Sequence, residues 1–329
     1  MKLMFNSIGQ SESAPIDNIA LRTTFFNTYL NVGNPNGNQA QRDKYNAILK
    51  HYARVDADVA VVDETTGGAY NIVVSDLAPD LGYNYVARGV NSNAGSAVMS
   101  KYPISNVQEL SNSYLQAQGY TDGNEMPEFA GVFRCQITKE GQDVIIYSAH
   151  LEPNLTPYDP LVPLPTAFAR VIEMMRVFQD IAAQKIINPS AKFIIQGDIN
   201  DGITGPQVTV YNSQPSGMRS SFTLGSDITF PINYKQFPED LMTSEGFPTV
   251  AATNLDNDPF SLWVGVPNAA IQYARAIDYI TTNATLVGRE LLDSEATQTG
   301  GLAKYGSVLP VGSSQQASDH KMVFADFRI

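Results

Sequence analysis

The sequence predicts an α/β fold in which two mixed β-sheets pack face to face and helices flank them, a four-layer α/β sandwich. Apolar runs of strand length alternate with helical patterns, and hairpins occur together with helical crossovers. The chain has 329 residues, 43% of them hydrophobic, which is enough for one large core. We therefore expect an N-terminal tail over residues 1–18 and a single domain over residues 19–329.

The first half of the chain combines one helix with three strands. Residues 39–55 place Tyr45, Ile48, Leu49 and Tyr52 on one helical face. Three apolar runs of strand length are expected to be strands. These strands cover residues 19–30, 58–64 and 95–104.

The second half begins with a predicted hairpin, in which Gly141 supplies the turn between strands 131–137 and 143–151. A helix is predicted over 165–186, with Pro165 at its start. The stretch 201–265 is rich in Pro, Ser, Asn and Gly, so we expect surface loops there. Further strands are predicted at the segment "KFIIQGDIN" (192–200), at 275–282 and at 320–329.

Composition limits the classes of function. The net charge of −12 disfavours binding of nucleic acid over the whole surface, although it suits a bound cation. The single Cys135 excludes an internal disulfide and predicts a buried, inert thiol. No run approaches the roughly 20 apolar residues of a membrane span. The N-terminus has no signal h-region, and we expect a secreted or periplasmic protein whose natural signal is absent from this sequence.

Polar side chains recur where predicted apolar strands end. Any one of them is most simply a turn residue or a solvated side chain, but together they suggest one shared site at a rim of the sandwich. Asp198 and Asn200 are two positions apart, so alternation along a strand would direct both to the same side. The set contains Asn27, Glu64, His150, Asp198, Asn200, Asp278, Asp319 and His320.

Asp278 is unusual because Ile277 and Tyr279 flank it in a predicted apolar strand. A buried carboxylate needs a partner, since an unpaired one is unfavourable by several kcal/mol. A histidine is the natural partner, and the chain contains only three histidines. His51 falls on the predicted helix, where it reads as a surface or core residue.

The order of these residues resembles the endonuclease/exonuclease/phosphatase superfamily of metal-dependent phosphoesterases. "GDIN" and "SDHKMV" resemble the Gly-Asp-x-Asn and Ser-Asp-His-x-x-Val motifs, and "AIDYI" resembles the strand that carries a conserved aspartate in the family. "VVDET", "GSAVMSKYPI" and "YSAHLEP" resemble earlier segments. Two positions depart from the family pattern, because Asp63 replaces the usual glutamine and Ala149 the usual threonine.

The resemblance implies a site that binds Mg²⁺ or Mn²⁺ through Glu64, with Asn27 and Asp319 in or next to the coordination shell. It implies that His320 acts as general base, or polarises the phosphate, and that Asp278 holds its ring. Asp198 would orient the attacking water, Asn200 would bind the phosphate, and His150 would donate to a nonbridging oxygen. Hard oxygen donors without a cysteine–histidine cluster agree with Mg²⁺.

Weaker sequence resemblances bear on the class of phosphoester that the protein hydrolyses. Residues 27–49 and 247–261 resemble segments of sphingomyelinases, which favours a phospholipase C type phosphodiesterase over a deoxyribonuclease-like endonuclease. A catalytically inactive binding module is a third reading, although none of the key acids or histidines is missing. We expect a monomer that acts on a phospholipid or nucleic acid phosphodiester, with peripheral membrane contact in the phospholipid case.

Overall fold

The structure is a computed structural model. It describes residues 21–28, 31–65, 67–89, 95–110, 131–151, 163–200, 221–224, 228–231, 242, 245–247, 262–264, 273–275, 278–292, 318 and 322–329. The predicted tail lies outside these residues.

Strands account for most of the described secondary structure. In chain order they are β1 (Leu21–Asn27), β2 (Val59–Asp63), β3 (Tyr85–Arg88), β4 (Ala97–Ser100), β5 (Ile104–Glu109), β6 (Gly131–Lys139), β7 (Gln142–His150), β8 (Lys192–Asp198), β9 (Ser221–Leu224), β10 (Ile228–Pro231), β11 (Leu262–Val264), β12 (Tyr273–Arg275), β13 (Asp278–Thr282), β14 (Thr285–Leu292) and β15 (Met322–Arg328).

Two mixed sheets form the centre of the fold. The first sheet has the order β14-β15-β1-β2-β4-β3, and the second has the order β13-β8-β7-β6-β5. The β1–β2 and β7–β8 pairs are parallel, and the other pairs in these two sheets are antiparallel. The predicted α/β sandwich of two packed mixed sheets with flanking helices is therefore confirmed.

Helix α1 spans Gln39–Val55, the range predicted from the sequence. Asn38 and Gln41 form a capping box, in which the Gln41 amide donates to Asn38 Oδ1 at 3.0 Å and the Asn38 amide donates to Gln41 Oε1 at 3.2 Å. The helix ends at Asp56, which has a left-handed φ of 48°. Local signals at both ends therefore account for its length.

The other helices differ from the prediction. A helical segment that was not predicted consists of α2 (Gly68–Ile72), a π-helical turn (Val73–Leu77) and α3 (Ala78–Asp80). Helix α4 spans Pro163–Ile187, so it begins two residues before the predicted start at Pro165. Proline is tolerated throughout the first turn, because the amides there have no intrahelical acceptor. None of the described helices is long and apolar enough to cross a membrane.

The region predicted as surface loops, 201–265, contains short strands. Strands β9 and β10 pair with each other, and β11 pairs with β12. The prediction of irregular loops is wrong for β9, β10 and β11, and the rest of the region lies almost entirely outside the described residues. Short strands with few alternating apolar residues give a weak sequence signal.

The core has an inner layer between the sheets and two outer layers beneath helices. Phe25, Val61, Ile146 and Ile194 point between the sheets, whereas Phe26, the next residue after Phe25, packs in the layer beneath α1. Cys135 also lies in the inner layer and is fully buried. Burial raises the pKa of its thiol to about 12, against a smaller lowering by Arg134. The predicted buried thiol is confirmed.

Salt bridges join the sheets at one end of the inner layer. Asp58, just before β2 in the first sheet, accepts from Lys139 Nζ of the second sheet at 2.9 Å and from the Arg22 amide at 3.0 Å. Burial alone would lower the pKa of Lys139, but Asp58 and Tyr102 together outweigh it and leave the pKa raised. Arg22 also holds Asp326 through two hydrogen bonds of 2.7 and 2.9 Å.

We predict that Lys139→Met lowers the free energy of unfolding by about 2 kcal/mol, because it leaves a largely buried Asp58 without its cation. The matched control is Lys101→Met, which removes a salt bridge to the exposed Asp56 and should change stability by less than about 1 kcal/mol. Chemical denaturation of the three proteins measures both values. Equal losses in the two variants would contradict the assigned role of Lys139.

Candidate active site

The inner layer becomes polar at the end opposite the salt bridges. Side chains two positions apart in a strand lie on the same face. The last residues of β1, β2, β7 and β8 therefore lie on the inner face of their sheets, together with Phe25, Val61, Ile146 and Ile194. These last residues are Asn27, Asp63, His150 and Asp198, each at most 8% exposed. Polar groups from both sheets are thus brought together at one rim.

Asn27 connects the two sheets at this rim. Its Nδ2 donates to Glu64 Oε1 at 3.0 Å and to Asp198 Oδ2 at 3.1 Å. Asn27 belongs to β1 of the first sheet, while Asp198 ends β8 of the second. One buried amide therefore holds two carboxylates that are far apart in the sequence.

Glu64 reaches Asn27 because the chain turns sharply after β2. Glu64 has a φ of 62°, which is rare for a residue other than glycine. The turn is fixed on both sides, since the Asp63 carbonyl accepts from Thr28 and the Thr65 amide donates to the Gly95 carbonyl. Adjacent acids consequently differ in setting, with Asp63 fully buried and Glu64 only partly so.

Asn200 is not oriented by strand alternation, and that part of the sequence argument is wrong. β8 ends at Asp198, and Asn200 adopts a left-handed φ of 54° beyond it. Its backbone amide donates to Asp198 Oδ1 and its Nδ2 donates to the Leu151 carbonyl, both at 2.8 Å. Asn200 thus fixes the Asp198 carboxylate from the backbone and ties the ends of β7 and β8 together.

His150 ends β7, beside the end of β8, and its side chain is nearly buried. Its Nδ1 lies 4.0 Å from Asp63 Oδ2 of the facing sheet. An imidazole and a carboxylate therefore meet across the rim, close to the contacts that Asn27 makes.

The predicted strand 275–282 is divided in the structure. Arg275 ends β12 and Asp278 begins β13, with residues 276–277 outside the described part. The backbone of Asp278 pairs with that of Asp198, so it occupies a register position at the rim. Its side chain is not among those described, and Asp319 and His320 lie outside the described residues.

Ser318, the residue directly before Asp319, lies against β1. Its hydroxyl donates to the Asn27 carbonyl at 2.6 Å, and the residue is 3% exposed. Four residues later, β15 begins at Met322 and pairs with β1. Both described ends of this short segment therefore lie against β1, the strand that carries Asn27.

Sequence reasoning did not select several polar residues around the rim. Ser148 and Gln196 pair in register on β7 and β8, two positions before His150 and Asp198, and both are fully buried. Asp63 is another of them, because the sequence leaves the choice between Asp63 and Glu64 open and the longer reach of glutamate favours Glu64. Strand alternation could have identified Ser148 and Gln196, because a residue two positions before a predicted site residue lies on the same face of the strand.

The donor set suits a hard divalent cation. Two carboxylates within hydrogen-bond distance of one amide concentrate negative charge, and carboxylate and amide oxygens are ligands that Mg²⁺ accepts together with water. Among the described residues, no three acidic, histidine or cysteine side chains form a metal-binding group. Glu64 and Asn27 are the described residues whose side-chain oxygens could hold such an ion.

Two packed sheets with acids, amides and an imidazole at one rim define an α/β-sandwich protein with a polar site between its sheets. The sequence model of the Endonuclease/Exonuclease/phosphatase family matches residues 25–320. The chain belongs to this family and is a metal-dependent phosphoester hydrolase. No curated protein matches the chain significantly.

Solved structures share the fold at low sequence identity. ANGEL2, a 2′,3′-cyclic phosphatase in complex with adenosine-2′,3′-vanadate, has a TM-score of 0.60 and 14% identity, covering 95% of this chain and 97% of its own. A Staphylococcus aureus beta toxin mutant with bound magnesium ions has values of 0.56 and 17%, with coverage of 94% and 99%. D. rerio TDP2 with a single strand DNA product has 0.53 and 13%, with coverage of 94% and 99%.

Gly197 of "GDIN" has a packing role that can be tested. A Cβ at this position would lie 1.8 Å from the Ala149 carbonyl oxygen and 2.6 Å from its carbon, both backbone atoms of β7. We predict that Gly197→Ala destabilises the fold by about 3 kcal/mol, since the two strands would have to separate.

The control for this prediction is Gly68→Ala, because nothing lies within 4 Å of the Cβ that it adds. It should shift the unfolding free energy by less than about 0.5 kcal/mol. Urea denaturation of both variants supplies the comparison. Wild-type stability in Gly197→Ala would show that β7 and β8 are less closely packed than the structure indicates.

Proposed function

We propose that the protein is a Mg²⁺-dependent phosphodiesterase of the sphingomyelinase or phospholipase C type, in which water attacks phosphorus in line with the leaving group. The observation that carries the proposal is the Asn27 amide, which holds Glu64 and Asp198 together across the two sheets. This arrangement positions a candidate metal ligand beside a candidate water-orienting acid. Family membership supplies the reaction class.

Three residues would hold Mg²⁺ or Mn²⁺, namely Glu64, Asn27 and Asp319. When bound, the ion would polarise a phosphoryl oxygen and stabilise the leaving oxyanion. The proposal for Asp319 is supported by Ser318, which donates to the Asn27 carbonyl directly before it in the chain. Glu64 already lies within 3.0 Å of the Asn27 side chain.

The remaining residues would manage the water and the phosphate. His320 acts as general base or polarises the phosphate, and Asp278 holds its other ring nitrogen in the required tautomer. Asp198 accepts a hydrogen bond from the attacking water. The register of Asp278 with Asp198 supports this grouping, since it brings both backbones to the same rim.

Two further groups would contact phosphate oxygens. The side-chain nitrogen Nδ2 of Asn200 carries two hydrogens. One of them is donated to the Leu151 carbonyl, so the other can form a hydrogen bond to a phosphate oxygen. His150 donates to a nonbridging oxygen as negative charge develops in the transition state. Its position at the end of β7, beside Asp198 at the end of β8, supports this role.

A phospholipid headgroup is favoured over a long polyanion because the chain carries a net charge of −12. The sphingomyelinase-like segments at 27–49 and 247–261 support the same choice. A deoxyribonuclease-like endonuclease is the second candidate. Its support is that D. rerio TDP2, of the same fold, was solved with a single strand DNA product.

We predict Mg²⁺-dependent hydrolysis that EDTA abolishes and added Mg²⁺ restores. Three parallel incubations measure it, with sphingomyelin vesicles, plasmid DNA and a chromogenic phosphodiester as substrates. Choline phosphate release from the vesicles with intact plasmid is the expected result. Nicked plasmid with intact lipid would favour the endonuclease, and full activity in EDTA would remove the metal from the mechanism.

We also predict that His320→Ala lowers kcat by at least about a hundredfold while the fold is retained, because the reaction loses its general base. Steady-state kinetics on the substrate found above measures kcat, and circular dichroism checks the fold. A variant that keeps more than about a tenth of wild-type turnover would contradict the assignment.

A further inference from the structure

We propose that Asp63 is a positioning residue for His150, and that its carboxylate orients the imidazole so that Nδ1–H faces Asp63 and Nε2 faces the phosphate. The proposal rests on the hydrolytic function proposed above, because it assigns His150 a partner in that reaction. It starts from the 4.0 Å separation between His150 Nδ1 and Asp63 Oδ2. Neither the family motif nor the sequence argument assigned a role to Asp63.

Burial shields this contact from solvent. The Asp63 side chain is 0% exposed and that of His150 is 10% exposed, so little water screens the two groups. A carboxylate removed from water requires compensation by hydrogen bonds or by a nearby positive group. The Nδ1 side of the imidazole faces Asp63 and supplies such a group when it carries the proton.

The backbone holds both partners in place. Asp63 ends β2 in register with Asn27, and its carbonyl accepts from the Thr28 amide at 3.3 Å and from the Thr28 hydroxyl at 2.9 Å. His150 ends β7 in register with Gly131 of β6. The contact therefore joins two strand ends of opposite sheets, which restricts how far the ring can turn away.

Two adjacent acids would then serve different partners. Asp63 faces His150, whereas Glu64 turns through its positive φ to accept from Asn27. Because Nδ1 is turned toward Asp63, Nε2 is the ring atom that faces the phosphate, and it donates to the nonbridging oxygen when both ring nitrogens carry a proton. Asp63 affects turnover through the orientation of His150 and makes no substrate contact itself.

The kinetic test uses Asp63→Asn, which keeps the shape of the side chain and removes its charge. We expect kcat to fall about tenfold to a hundredfold while KM stays within about twofold. The Mg²⁺ concentration for half-maximal activity should stay unchanged, because Glu64 is intact. Unchanged kcat would overturn the proposal, and so would recovery of kcat at saturating Mg²⁺, which would place Asp63 in the metal shell.

The matched control is Asp58→Asn, which removes the charge of a partly buried carboxylate at the opposite end of the inner layer. It should lower stability but leave kcat and KM as in the wild type. An equal loss of kcat in the two variants would indicate a general effect of destabilisation and would also overturn the proposal.

A spectroscopic test does not depend on activity. The chain has only three histidines, so ¹H–¹⁵N spectra of the imidazole rings in the Mg²⁺-loaded protein can be assigned with His150→Asn. We expect a protonated Nδ1 in His150, and ring shifts that move in Asp63→Asn but stay unchanged in Asp58→Asn. If the ring shifts of His150 are unchanged in Asp63→Asn, the proposed pairing of Asp63 with His150 is wrong. Absence of hydrolysis by the wild type would reject the function alone.

Discussion

The site depends on how the two sheets face each other. Apolar side chains of β1 and β2 pack against those of β7 and β8 along the inner layer, and the same alternation directs the last residue of each strand into the rim. The Asn27 amide can contact both Glu64 and Asp198 only because β1 and β8 lie opposite each other. Sheet packing therefore sets the distances between residues that are up to 171 positions apart.

Stability and reactivity are placed at opposite ends of this layer. Asp58, Lys139 and Arg22 satisfy one another at one end, where no chemistry is needed. At the rim, like-charged carboxylates approach each other, and Glu64 and Asn200 adopt positive φ angles that are unfavourable for most residues. A bound divalent cation would offset the repulsion between these carboxylates, so the rim is the expected position of strain in a metal-dependent phosphoesterase.

Sequence patterns predicted features with local causes better than features set by tertiary contact. The bounds of α1 agree with its apolar periodicity, and in the structure a capping box and an αL residue fix its two ends. Strand β5 escaped prediction because its residues are mostly exposed and lack apolar alternation. The Asp198–Asn200 relation failed because alternation ends with the strand, and the turn that follows is stabilised by a contact with Leu151, which is 49 positions away.

The Asp63–Glu64 pair illustrates why a motif alone identifies only part of a site. The sequence shows two acids at a strand end and favours the longer one, but it does not show that the strand stops between them. Alternation directs Asp63 inward to the facing sheet, and the left-handed φ of Glu64 turns the next carboxylate toward Asn27. The change of backbone direction at Glu64 thus lets two adjacent residues direct their carboxylates to separate partners. This explains why an acid at the position of the usual family glutamine is compatible with the proposed metal site at Glu64.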